Sequence, residues 1–215
     1  KGDVPLLEGD LLEFQPQPAS PAAPVLTAPA VATLDDVEVA GKTVLVRPDI
    51  NVPAEHGHLL DPEHPHARVV EAATTLKELA EQGAKVVVMF HQGRPGDVDF
   101  MDTADEHAAQ VQRLVGRPVR VVNDLFGDEG LAAIRSLQAG EILFLKPVRA
   151  SDPTTGKALE QNPAFVERLK PAIDLFVLDG FSVAHRDSPS VTGFAGVPAV
   201  AGRSSGPFAR RRRTS

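Results

Sequence analysis

The chain has 215 residues, enough to bury one sizeable core, and its 42% hydrophobic and 24% charged residues are those of an ordinary globular protein. No apolar run approaches the roughly 20 residues of a membrane helix, and residues 1–14 lack a secretory signal pattern. With no cysteine, disulfides, thiol nucleophiles and zinc–thiolate sites are excluded, as suits a cytoplasmic protein, and the formal charge of −7 disfavours general contact with nucleic acid.

In chain order, residues 1–32 come first, with closely spaced prolines in "QPQPASPAAPVLTAPA", and read as a disordered Pro/Ala-rich lead-in. The folded body spans 33–203. Its predicted strands are "KTVLV" (42–46), "KVVVMF" (85–90), "VRVVN" (119–123), "EILFL" (141–145) and "DLFVL" (174–178), each almost wholly apolar as for strands covered on both faces. Between them, helices are predicted over 66–82, 103–115, 128–138 and 163–170. Asn162 and Pro163 punctuate the start of the last, and Gly83, Gly116 and Gly140 stand where helices should stop. Such alternation predicts an α/β fold with an open, mainly parallel sheet and helices on both faces. Residues 204–215 form a basic tail without apolar periodicity, read as disordered. Its four arginines, Arg210 to Arg213, mask a body of charge −11 over residues 1–209, so any bound anion must meet a focused pocket.

In an open parallel sheet, ligands bind beyond the carboxyl ends of the strands. There the chain places "RPDINVP" with Asp49 and Asn51, "HQGRP" with His91 and Arg94, "KPVR" with Lys146 and Arg149, and "DGFSVAHR" with His185 and Arg186. One such arginine is an ordinary loop residue; several converging on one rim of an acidic protein suit a phosphate or carboxylate, which the guanidinium fork grips with two parallel hydrogen bonds.

"TVLVRPDINVP", "FHQGRPGD", "NPAFVERL" and "DGFSVAHRDSPSVTGF" together resemble the successive signatures of the phosphoglycerate kinase family. "PDIN", "HQGRPGD" and "DEHA" are most similar to its archaeal form. The resemblance runs from about Thr33 to Arg203 and covers the amino-terminal, substrate-binding domain, a Rossmann-like three-layer fold. It implies 3-phosphoglycerate and 1,3-bisphosphoglycerate as ligands in the glycolytic exchange of a phosphoryl group with ADP. It also implies roles. Asp49 and Asn51 would reach the hydroxyl and carboxylate end of the substrate. Arg68, in "HARVV", would hold the carboxylate and stabilise the transferring phosphoryl group, which makes it the catalytic candidate. His91, Arg94, Arg149 and Arg186 would grip the 3-phosphate and carboxylate region, with His185 beside them. Two departures from the family pattern stand in the site loops: Lys146-Pro147 replaces a Glu-Asn pair, and Leu178 replaces a polar residue.

No counterpart of the family's carboxyl-terminal nucleotide-binding domain is recognisable, so Mg-ATP or Mg-ADP would be bound by that domain, and this chain alone is expected to bind no nucleotide and to be inactive. A phosphate loop needs glycine four residues ahead of its Gly-Lys-Ser/Thr. "DVEVAGKT" has Asp36 at that position, whereas "SDPTTGKA" has Ser151 there and ends on Ala158. His56, His58, His64 and His66 crowd one loop without metal-site spacing, so no metal is expected. Two alternatives stay open: a non-catalytic phospho-ligand module with drifted loops, or a nucleic-acid contact through the basic tail.

Overall fold

The computed structural model describes residues 32–180 and 187–204. Its sheet strands are β1 (Thr43–Pro48), β4 (Lys85–Val88), β5 (Val119–Val121), β6 (Ile142–Phe144), β7 (Leu175–Asp179) and β8 (Ala199–Ala201), in the order β5-β6-β4-β1-β7-β8. All five strand pairings are parallel. A two-stranded antiparallel hairpin, β2 (Ala54–Glu55) with β3 (His58–Leu59), follows β1. The helices are α1 (Ala67–Glu81), α2 (Asp105–Val115), α3 (Asp128–Ser136), α4 (Ala164–Leu169) and α5 (Pro189–Thr192).

Strict alternation along the strands divides the core in two. Val44, Val46, Val86, Val88 and Phe144 face α1 and α2, meeting Val69, Leu76, Leu79 and Val111. Leu45, Val87, Leu143 and Phe176 face the other way, onto Leu131 and Ile134 of α3 and Phe165 and Leu169 of α4. Both faces of the central strands are covered, so their inner residues are almost all apolar and period-two patterning fades from the sequence. Each buried Leu or Phe contributes about 1.5–3 kcal/mol of transfer free energy, and together they hold the three layers.

The chain runs from β1 outward through α1, β4 and α2 to the edge strand β5. It then returns through α3, β6 and α4 across to β7. β1 is therefore flanked by β4 on one side and β7 on the other, and the strand order reverses there. At such a reversal, loops diverge at the carboxyl ends and leave a crevice.

The five predicted strands and four predicted helices all form, with ends shifted by at most two residues. Gly83 (φ 81°) and Gly116 (φ 70°) stop α1 and α2, where a left-handed residue is needed. Gly140 is different: α3 ends at Ser136, and Gly140 turns the chain into β6, donating its amide to Ala84. Asn162 accepts the Ala164 amide at the start of α4, as its position suggested. Not foreseen were β8, the β2–β3 hairpin and α5, all of four residues or fewer. The lead-in through residue 31, the basic tail from 205 on, His185 and Arg186 lie outside the described residues. Among the described residues, no helix is long and apolar enough to cross a membrane.

Candidate functional site

Beyond the carboxyl end of β1, Asp49 and Asn51 form a tight turn in which the Asn51 amide donates to Asp49 Oδ1 at 3.4 Å. Asn51 then reaches the next loop: its Oδ1 accepts the Gly93 amide at 2.7 Å. The Gly93 carbonyl in turn accepts a hydrogen bond from Arg149 Nη1 at 3.0 Å, which brings in the loop after β6. Arg68, in the first turn of α1, places Nη1 3.3 Å from Asp49 Oδ2 and donates to the Asn51 carbonyl at 3.0 Å. The loops after β1, β4 and β6 and the start of α1 thus form one continuous hydrogen-bonded cluster.

Its members differ in access. Arg68 is 47% exposed at its side chain, and among the described residues its Nη2 and Nε make no hydrogen bond. Half of its fork therefore faces outward while the other half is anchored. Asp49 is largely covered. His91 is buried and directed inward, its Nδ1 lying 2.9 Å from Arg47 Nη2. Because a guanidinium can only donate, Nδ1 is the acceptor and the ring carries its proton on Nε2. Arg94 is exposed on the same loop, but among the described residues its side chain joins none of these bonds. The substitution by Pro147 leaves Arg149 aimed at Gly93, while Lys146 turns aside to Asn123 Oδ1 at 2.8 Å and lies 3.9 Å from Asp102. Leu178, the other departure, is half-buried and packs against the core cluster on the α3 and α4 face.

Gly93 is required by shape. Its φ is 59°, and a Cβ there would lie 2.6 Å from the Asp99 carboxylate and 2.7 Å from the Phe100 nitrogen. That permits the β4 loop to fold back tightly and present its peptide to both Asn51 and Arg149.

Three polar residues at this end were not singled out from the sequence. Arg47, buried in β1, holds its own Pro48 carbonyl and His91. Gln92 is fully buried and hydrogen-bonds Val52, Asp99 and His107. His107 of α2 is buried beneath them, and burial lowers its pKa to about 4, the Ile50 main chain and the Glu106 charge opposing the shift only in part. Gln92 and His107 lie within "HQGRPGD" and "DEHA", but buried polar residues have no spacing that marks them before the fold is known.

The neighbouring histidines have local partners. His58 Nδ1 lies 2.7 Å from Glu106, whose other oxygen accepts the Leu59 amide; burial pushes the Glu106 carboxyl up, but these bonds outweigh it and leave it below its usual range. His64 pairs with Asp61, and His66 accepts the Arg68 amide at the start of α1. Neither Gly-Lys sequence opens a helix: Gly41-Lys42 leads into β1, and Gly156-Lys157 lies in the turn closed by the Ser151–Ala158 bridge. Neither can cradle a phosphate at a helix N-terminus in the manner of a phosphate loop.

A doubly wound parallel sheet, with polar and cationic groups gathered where its strand order reverses, defines an open α/β domain. Comparison with known proteins is more particular. The phosphoglycerate kinase family model matches residues 34–205, and the chain belongs to that family. It is 43% identical over 177 residues to a phosphoglycerate kinase of Methanothermobacter thermautotrophicus, covering 80% of this chain and 42% of the relative. It is 44% identical over 178 residues to one of Halorubrum lacusprofundi, covering 81% and 42%. The crystal structure of phosphoglycerate kinase from Pyrococcus horikoshii superposes with a TM-score of 0.70 at 31% identity, covering 81% of this chain and 43% of that one. The chain thus spans about two fifths of the length of these relatives.

Proposed function

We propose that this chain is the substrate-binding half of a cytoplasmic phosphoglycerate kinase, and that the cluster at the carboxyl ends of its strands holds 3-phosphoglycerate. The observation that carries the reading is Arg68: its Nη1 is fixed by Asp49 and the Asn51 carbonyl, while the side chain stays half-exposed at the carboxyl end of β1. A pre-placed, half-anchored guanidinium meets an anionic ligand with little loss of side-chain freedom. In this reading Arg68 takes the substrate carboxylate and the charge spread over the three oxygens of a phosphoryl group in transit. Asp49 and Asn51 orient the hydroxyl end. Arg149, Arg94 and Arg186, with His91 and His185, belong to the grip on the 3-phosphate.

The reaction moves a phosphoryl group from the acyl phosphate of 1,3-bisphosphoglycerate to ADP, and back. ADP and its magnesium would sit on a second, nucleotide-binding domain, because neither Gly-Lys sequence here is shaped for a phosphate. Transfer between two separately held reactants depends on bringing them into line. The chain assayed by itself is therefore expected to give no turnover above a no-protein control.

Binding tests the reading directly. Calorimetric titration should give saturable binding of 3-phosphoglycerate in preference to 2-phosphoglycerate and inorganic phosphate, weakened about tenfold to a hundredfold in Arg68→Ala. Phosphate binding without preference for 3-phosphoglycerate would instead identify a general phospho-ligand module, and no binding would refute both readings.

A further inference from the structure

Gln92 touches none of the outward-facing groups, yet all of its hydrogen-bonding capacity is spent within the protein. Its Oε1 accepts the Val52 amide at 3.0 Å and its Nε2 donates to the Val52 carbonyl at 2.8 Å, so the side chain pairs with one residue's main chain as a neighbouring strand would. Nε2 also donates to the Asp99 carbonyl at 3.0 Å. The second lone pair of Oε1 faces His107 Nε2 at 3.2 Å. Two carbonyls on one side and an amide on the other fix which end of Gln92 is oxygen, and that oxygen can only accept. His107 Nε2 must therefore carry the ring proton. Burial among apolar neighbours, with Phe90 4.7 Å away between ring centres, keeps the ring neutral.

The consequence lies one residue away in each direction. Val52 follows Asn51, and Gln92 precedes Gly93; Asn51 and Gly93 are the two residues whose hydrogen bond joins the β1 and β4 loops. We propose that Gln92, oriented by His107, is a positioning pair that sets the spacing of Asn51 from the Gly93 peptide and through it from Arg149, and so sets the selectivity of the cluster for its organic phosphate. The selectivity half rests on the reading of this cluster as a 3-phosphoglycerate site; the positioning half does not. The same geometry accounts for two motifs that stood apart in the sequence: "HQGRPGD" contributes Gln92, "DEHA" contributes His107, and the two meet in the interior.

Gln92→Met keeps the volume and flexibility of the side chain and removes all four hydrogen bonds. Amide hydrogen exchange on the ligand-free chain should show protection of the Val52 and Gly93 amides falling about tenfold or more, while those of Val87 and Leu45 in the central strands hold. Gly93 is the decisive amide, because Gln92 does not bond to it. Long-range nitrogen-15 spectra of the unaltered chain should show His107 as the Nε2–H tautomer. In calorimetry the variant should lose affinity for 3-phosphoglycerate more than for inorganic phosphate. Unchanged Gly93 protection in a folded variant, uniform loss across all amides, or a His107 proton on Nδ1 would each overturn the positioning role. Failure of the unaltered chain to bind 3-phosphoglycerate, with Gly93 protection still dependent on Gln92, would remove the proposed substrate and leave the pair standing. Equal loss for both ligands would remove selectivity from its role.

Discussion

The two flanks of β1 are held by different kinds of polar chemistry. On the β4 side, the loops are tied by neutral groups, Gln92 and His107, buried and matched donor to acceptor. On the β7 side the ties are charged. Arg203 grips Glu78 through Nε and Nη2, at 2.8 and 2.6 Å, and Asp35 through Nη1 and Nη2, at 3.1 and 2.7 Å, while its amide donates to Thr75. Next to it the buried Asp179 accepts the Ser204 amide on Oδ1, and its carbonyl accepts both the Ser204 hydroxyl and the Asp49 amide. Neutral hydrogen-bonded groups specify geometry with little sensitivity to salt, whereas ion pairs make stability depend on it. The Gln92 link between Val52 and the β4 loop is therefore insulated from screening by salt, unlike the Arg68–Asp49 pair beside it.

The largest effect that separates the flanks is acid sensitivity of the β4 side. His107 binds its proton at about pH 4 when folded and near 6.5 when unfolded, so acidification favours the unfolded chain. Its contribution is intact above pH 6.5 and is lost as pH falls towards 4, by about 3 kcal/mol in all. Urea midpoints between pH 7 and 5 should fall for the unaltered chain and flatten in His107→Gln. Keeping above pH 5 leaves out Glu106, whose lowered pKa adds its own loss only below 4.5. Parallel curves for the two proteins would place the acid sensitivity elsewhere.

Smaller, and confined to the β7 side, is the effect of Arg203→Ala. It leaves Asp35 and Glu78 without their shared cation, and because all three side chains are partly exposed the loss should be about 1–2 kcal/mol at low salt. Raising the salt should shrink the difference in urea midpoint between the two proteins. A difference that salt does not change would mean that Arg203 acts through packing of its stem.

What could be read in advance follows the same division. The strands were legible because "KTVLV", "KVVVMF" and "DLFVL" are buried on both faces, and a continuous apolar run is the trace such burial leaves. β8 was not: within the strand only Val200 is buried, and three residues at a sheet edge leave no pattern. Asp49, Asn51 and Arg149 could be picked out because polar residues beyond apolar runs stand apart, whereas Arg68, inside the first turn of α1, was marked only by the family resemblance of "HARVV". Arg47, Gln92 and His107 could not, since Gln92 finds Val52 across 40 residues of chain and only the fold brings them into contact. Ion-pair partners are equally hidden: Arg203 meets Asp35 from 168 residues away.

The smallest effect sharpens the contrast through its sign. Burial raises the pKa of Asp179 above its ordinary value; the Ser204 and Thr75 hydrogen bonds act against the shift, and the Glu71 charge adds to it. An acid with a raised folded pKa binds protons more readily folded than unfolded. Its ionisation costs stability in full above the folded pKa, and that cost disappears as pH falls towards 3.8. This is the reverse of the His107 dependence, so the two flanks respond to acid in opposite directions. Asp179→Asn keeps an oxygen for the Ser204 amide and removes the ionisation. The variant should therefore be the more stable protein at neutral pH, with its advantage narrowing on acidification. If the variant is instead less stable at every pH, the Asp179 carboxylate is held by neutral donors strong enough to offset its burial.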